Sequence, residues 1–161
     1  VLDLGCGPGI QTAWLRLRGL RPVGGDLSTG MLEQARRFAS APLVQLDMRS
    51  LPFAGRSFEG VWWVASLLHL PKRAAPTALA EARRILAPGG LLALDVQEGD
   101  GETWQDNYGA GLPRFFARYS ADEMAAMLEA AGFAVATHER TAGPARTWLS
   151  FVARSRVPEA P

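Results

Sequence analysis

Three glycines at alternate positions, Gly5, Gly7 and Gly9, follow the strand-like run Val1-Leu2-Asp3-Leu4 and precede Ile10, where a helical pattern opens. A strand, a glycine-rich turn and a helix in that order form a unit whose backbone can close around a nucleotide. Glycine lets such a backbone approach a ligand and take up positive φ. The dinucleotide fingerprint needs glycines at its first, third and sixth positions. Counted from Gly5 the sixth position is Ile10, and from Gly7 it is Thr12, so that fingerprint fails. The carboxylate of Asp3 argues the same way, because an acid at the strand end repels a pyrophosphate but suits a ligand carrying an ammonium and a sulfonium. Asp26 stands 17 positions beyond Gly9, near the roughly 20 at which an acid grips a ribose. One carboxylate accepts from two vicinal hydroxyls at once, although the same residue also suits a helix N-cap. Asp47-Met48 ends a third apolar run, where residue type alone reads as a turn acid and a core filler. His69 is the one histidine near this end of the chain's strands, suited either to take a proton from a hydroxyl or to fix its loop by a hydrogen bond.

Five segments in order, D-L-G-C-G-P-G (3–9), L-D-M-R-S-L-P-F (46–53), F-E-G-V (58–61), L-L-H-L (67–70) and L-A-P-G-G (86–90), resemble the Rossmann-like, S-adenosylmethionine (SAM)-dependent methyltransferases. Within them the group that contains quinone-biosynthesis methylases is the most similar. Glu59 stands where that family usually has aspartate. The resemblance implies SAM as cofactor, with Asp3, Gly5, Cys6, Gly7 and Gly9 around its amino-acid end and Asp26, with Leu27 beside it, on the ribose. It implies that Asp47 accepts from the adenine amine, that Met48 packs on the ring, and that Val64 and Ala65 line the methionine end. The implied activity is in-line transfer of a methyl group to a small-molecule acceptor, with His69 and Tyr119 as candidate bases where the acceptor has a proton to lose. A SAM-binding domain without catalysis and a nucleotide-dependent oxidoreductase are the competing readings.

The elements that must hold these residues follow from periodicity. Ile10, Ala13, Trp14 and Leu17 mark the inner face of a first helix that Gly19 ends. Residues 22–26 form a second strand, and Ser28 or Thr29 caps a helix with Met31, Leu32, Ala35, Phe38 and Ala39 on its apolar face. Strands are expected at 42–46, 57–64 and 91–96. Between the last two lies a helix, Pro76 in its first turn, with Ala75, Leu79, Ala82 and Leu86 toward the core. Residues 98–119 show no clean period but carry Trp104, Tyr108, Phe115, Phe116 and Tyr119, and are expected to be an irregular cap over the substrate. Ser120 and Glu123 form a capping box before a helix with Met124, Met127 and Leu128 inward. Two strands, 135–140 and 147–153, joined through Ala142-Gly143-Pro144, should run antiparallel, with 154–161 as a frayed tail. The expected fold is a single α/β domain over 1–161, doubly wound, with a mostly parallel seven-stranded sheet and one antiparallel strand near the C-terminus.

Composition sets the outer limits. The 161 residues are 48% apolar with a net charge of +1, enough for one packed core and no bias toward nucleic acid or acidic membranes. Lys72 is the only lysine and Cys6 the only cysteine, so no internal disulfide forms, a reducing compartment is suited, and a metal site is not expected. No apolar run nears the roughly 20 residues of a membrane span, and no signal peptide is visible, which makes the cytoplasm the expected location. Val1 already lies inside the first strand without an initiator methionine, and the helices that the resembling family carries upstream, covering the sheet, are missing from the sequence as it stands.

Overall fold

A computed structural model describes residues 1–106 and 112–157. Its main body is a seven-stranded sheet in the order β3-β2-β1-β4-β5-β9-β8. The strands are β1 (Leu2–Leu4), β2 (Val23–Asp26), β3 (Leu43–Gln45), β4 (Phe58–Val64), β5 (Leu86–Gln97), β8 (Phe133–Ala142) and β9 (Thr147–Ser155). All neighbouring pairs from β3 to β5 are parallel, while β9 is antiparallel to both β5 and β8. The expected sheet, with its single reversed strand, is therefore the one formed. The chain winds outward from β1 through β2 to β3, then crosses back to β4 on the other side of β1. That reversal opens a crevice beyond the carboxyl ends of β1 and β4.

Alternation along the strands gives each sheet face its own chemistry. Leu2, Leu4, Val61, Trp63, Leu92 and Leu94 point to one face and are buried in the main core. There they meet α3 (Ala75–Ile85), through Ala78, Leu79 and Ala82, and α4 (Ala121–Ala130), through Met124 and Leu128. Ser120 caps α4 by accepting from the Glu123 amide at 3.1 Å, and Ser28 caps α2 (Thr29–Ala35) by accepting from Met31 at 3.3 Å. The other face carries, in register, Asp3, Trp62, Ala93 and Val152, and one step further up Val64, Asp95, Ser150 and Glu139.

On that second face α1 (Ile10–Leu17) departs from expectation. Thr12 and Leu15 are its buried residues, whereas Ile10 is 67% exposed and Leu17 87%. The physical cause is a polar pair beneath the helix: the Thr12 hydroxyl donates to the Asp3 carboxylate at 2.5 Å. That bond fixes the phase of α1 about its axis and turns the apolar spacing outward. Trp14, on the rim, packs against Trp62 with ring centroids 5.4 Å apart, and the Arg18 guanidinium lies 4.0 Å above its ring.

The 98–119 segment also differs from its reading. Where it is described it holds a hairpin, β6 (Glu102–Gln105) paired antiparallel with β7 (Arg114–Ala117). Tyr108 lies outside the described residues. Aromatic cross-strand pairing hid the strand signal: Trp104 meets Phe115 edge-on at 5.5 Å and is itself 67% exposed, so no clean inside-outside alternation shows in the sequence. Arg154 and Ser155 belong to β9 rather than to a tail, and Ser155 is buried.

Candidate functional site

The glycine loop is fastened to β2 before any ligand is considered. The amides of Gly5 and Cys6 both donate to the Gly25 carbonyl, at 2.7 and 2.9 Å. Gly5 sits at φ +78, and a Cβ there would lie 2.2 Å from the Ser66 side chain, so the close approach that demands glycine is to β4's continuation. Gly7, at φ +53, has open space where its Cβ would be. Close backbone approach to a ligand is available at Gly7.

Asp26, the last residue of β2, joins two elements. One carboxylate oxygen accepts from the Gly7 amide at 2.8 Å and the other from the Ser28 amide, also at 2.8 Å. A carboxylate has about four lone-pair positions, so acceptor capacity for two vicinal hydroxyls remains. Asp26 lines a cleft of about 180 Å³ together with Gly5, Leu27, Asp47, Met48 and His69. Leu27 is 63% exposed, and Met48 rests partly on the core. These two side chains contribute apolar surface to the cleft that Asp47 also lines.

Asp47 is less free than its sequence suggests. Its carboxylate takes the Arg49 amide at 2.9 Å and the guanidinium at 2.5–3.1 Å, which holds its pKa below the usual carboxylate range. The amide contact is an Asx turn, the local signal that pointed to a turn acid. Arg49, Ser66 and Leu70 also line the cleft. Ser66, whose hydroxyl donates to the Leu4 carbonyl at 2.7 Å, lies two residues beyond the end of β4, outside the expected strand 57–64, and was not singled out from the sequence.

His69 lies in a short 3-10 turn, Leu67–His69, at the cleft's edge. Its Nδ1 is 2.9 Å from the Phe115 carbonyl. A carbonyl only accepts, so Nδ1 carries the proton and Nε2 is left as the ring's acceptor. Burial of the ring, which packs edge-on against Phe116 of β7, lowers the imidazole pKa, and the Phe115 carbonyl acts in the opposite sense. The arrangement favours the neutral ring.

Several expected site residues lie elsewhere. Asp3 is 2% exposed, behind the loop and bonded to Thr12; burial pushes its carboxyl up to about 6. Cys6 is buried, with its thiol pushed up to about 12 by desolvation, and Gly9 starts α1. None of these three lines the cleft, and neither does Gly7, whose amide reaches it only through Asp26. Val64 and Ala65 line a separate neighbouring hollow instead of the cleft. Tyr119 is fully buried in the main core, and burial raises its phenol further above its ordinary value. A phenol so placed touches neither the cleft nor solvent, which removes it as a candidate base. Among the described residues no group of three or more His, Cys, Asp or Glu side chains is placed to hold a metal ion.

Known proteins place this geometry. The family described as "Methyltransferase domain" matches residues 1–90, more than half of the chain and the whole of the glycine loop, β2 and Asp47 segments. The chain belongs to the SAM-dependent methyltransferases. Methyltransferase GfsG of Streptomyces halstedii is 40% identical over 102 residues, covering 58% of this chain and 36% of the relative. Demethylmenaquinone methyltransferase of Corynebacterium kroppenstedtii is 39% identical over 94 residues, 58% of this chain and 40% of the relative. The chain thus spans about two fifths of the length of these relatives. Among solved structures, Burkholderia thailandensis 1,6-didemethyltoxoflavin-N1-methyltransferase superposes with a TM-score of 0.80 at 27% identity, over 97% of this chain and 70% of its own. That structure holds 1,6-didemethyltoxoflavin and S-adenosylhomocysteine (SAH). No helix among this methyltransferase's described residues is long and apolar enough to cross a membrane.

Proposed function

We propose that the cleft binds SAM and that the chain promotes transfer of its methyl group to a small-molecule acceptor. One observation carries this reading: Asp26 stands at the switch-point crevice, anchored by Gly7 and Ser28, with acceptor capacity left for a ribose. The cleft's other features fit the same ligand. Leu27 and Met48 suit the adenine faces, and Asp47 suits its amine, sharing its oxygens with Arg49. Asp3 acts through space, as negative charge behind the loop on the side where an ammonium and a sulfonium would sit. The SAH bound in the related Burkholderia structure supports the reading.

When bound, SAM supplies an electrophilic methyl on a sulfonium that leaves as a neutral thioether. Chemistry of that kind asks little of the protein beyond alignment and the exclusion of water. The loop and Asp26 hold the donor's position. The β6–β7 hairpin holds His69 in place through the Phe115 carbonyl, at the edge of the donor cleft. Where the acceptor is a hydroxyl, His69 Nε2 takes its proton as the new bond forms. Acceptors named for the relatives are as different as demethylmenaquinone and 1,6-didemethyltoxoflavin, so small molecules are the class and this chain's own is set by its own walls.

Titration calorimetry with SAH, followed by transfer of a labelled methyl group to a panel of phenols and amines, tests the proposal. Asp26→Ala should weaken SAH binding by about 1.5–3 kcal/mol, the scale of hydrogen bonds to a charged group. SAH binding without turnover on any acceptor would favour a non-catalytic SAM-binding domain. Tighter binding of NAD than of SAH would favour an oxidoreductase.

A further inference from the structure

Beside the donor cleft lies a second hollow of about 320 Å³, lined by Val64, Ala65, Asp95, Thr141, Trp148 and Ser150. Its volume falls in the range of small-ligand sites. The chain passes from one cavity to the other at the end of β4, where Val64 and Ala65 line the hollow and the next residue, Ser66, lines the cleft. Ala65 makes that join in the left-handed region, at φ 54, a conformation that costs an alanine roughly 1–2 kcal/mol. Strained backbone of this kind persists where the surroundings over-determine it, and it clusters at ligand sites.

The hollow's chemistry is one-sided. Among the described residues Asp95 is the only charged one lining it, with no lysine or arginine beside it. Burial pushes the Asp95 carboxyl up, and the opposing influence is a hydrogen bond with the neutral Ser150. Glu139 is in register beyond Ser150 on the same sheet face and adds a second negative charge at the edge. Trp148 and Thr141 are paired across β8 and β9 one step further along. A partly buried carboxylate with no cation among the described lining residues, sharing the hollow with an indole, is a recognition set for a positively charged or N–H-bearing group on a flat or apolar body.

We propose that this hollow seats the methyl acceptor and selects acceptors carrying a protonated amine, with Asp95 as the specificity-determining residue. The inference rests on the donor reading of the neighbouring cleft, and it concerns recognition only: the ammonium that Asp95 holds is distinct from the atom that receives the methyl group.

The test uses the chain saturated with SAH and three probes of one shape: phenethylamine, 2-phenylethanol and 3-phenylpropionate. Binding is followed by the shift of the Trp148 indole N–H in NMR spectra. Phenethylamine should bind about ten-fold tighter than the carboxylate, and Asp95→Asn should abolish that preference while leaving SAH affinity within about two-fold. Equal binding of the three probes to the wild-type chain overturns the proposal without need of a variant, which covers the case in which Asp95→Asn fails to fold. A preference that survives in Asp95→Asn also overturns it. A loss of SAH affinity in that variant reassigns Asp95 to the donor's ammonium. Failure of the wild-type chain to bind SAH counts against the donor reading instead, and is seen separately from the amine preference.

Discussion

Burial favours the uncharged form of both Asp3 and His69, raising the carboxyl and lowering the imidazole, so that at neutral pH Asp3 is ionised at a cost while the His69 ring is neutral. For Asp3, with a folded value of about 6 against roughly 3.9 in an unfolded chain, the folded state holds the extra proton between those values. Stability therefore falls as pH rises from about 4 to 6, and above 6 the ionised acid costs about 3 kcal/mol. Asp3→Asn should be more stable than the wild type by that order at pH 7.5, and by much less at pH 4, in paired denaturant titrations. A constant difference across that range would show that the acid is not desolvated as described. Retention of so costly a charge beneath the loop accords with a cationic ligand above it. His69 titrates in the opposite sense, since shielding favours the unprotonated ring and lowers its pKa. With a hydroxyl acceptor, kcat/KM should rise with pH to a plateau, with its midpoint below the ordinary imidazole value of about 6.5. His69→Gln should lower kcat by about 10²–10⁴ and flatten that limb. An unchanged midpoint in the variant would take the base role away from His69.

At the scale of elements, local signals were legible wherever the backbone itself dictated the residue. The glycine loop, the serine caps of α2 and α4 and the Pro-bearing start of α3 all stand where residue chemistry placed them. The face of α1 did not read correctly, because a buried Thr12–Asp3 bond outweighed its apolar spacing. The hairpin was equally hidden, since what anchors β6 and β7 lies far away in sequence. The Lys72 amide donates to Glu102 at 2.5 Å, and the Lys72 ammonium pairs with Glu123 at 2.7 Å and lies 5.0 Å from the Tyr119 ring centroid. Lys72 thus ties β6 to α4 and to the core beneath it. Glu102→Ala should remove about 0.5–1.5 kcal/mol of local stability. Amide exchange in β6 and β7 should quicken accordingly, with SAH affinity unchanged. Unaltered exchange would mean that the hairpin is held by its aromatic pairs alone.

Taken whole, the molecule is a sheet whose strand order reverses beside β1, and that reversal decides where a ligand sits. Segment order along the chain carried this much, because each strand ended in recognisable chemistry: Asp26 at the end of β2, Asp47 after β3, the 67–70 turn after β4. What pairs across the sheet was not legible. Asp95, Ser150 and Glu139 come from β5, β9 and β8, and only their register places them on one face beside Val64. Val64 and Ala65, expected from the resemblance at the donor's methionine end, line the hollow next to the cleft. A crystal structure of the chain with SAH tests the central claim most directly. The ribose hydroxyls should lie about 2.5–3.0 Å from the Asp26 carboxylate, with the adenine between Leu27 and Met48. Adenosine bound away from Asp26, or a cleft closed by Leu27 with SAH lodged elsewhere, would contradict it.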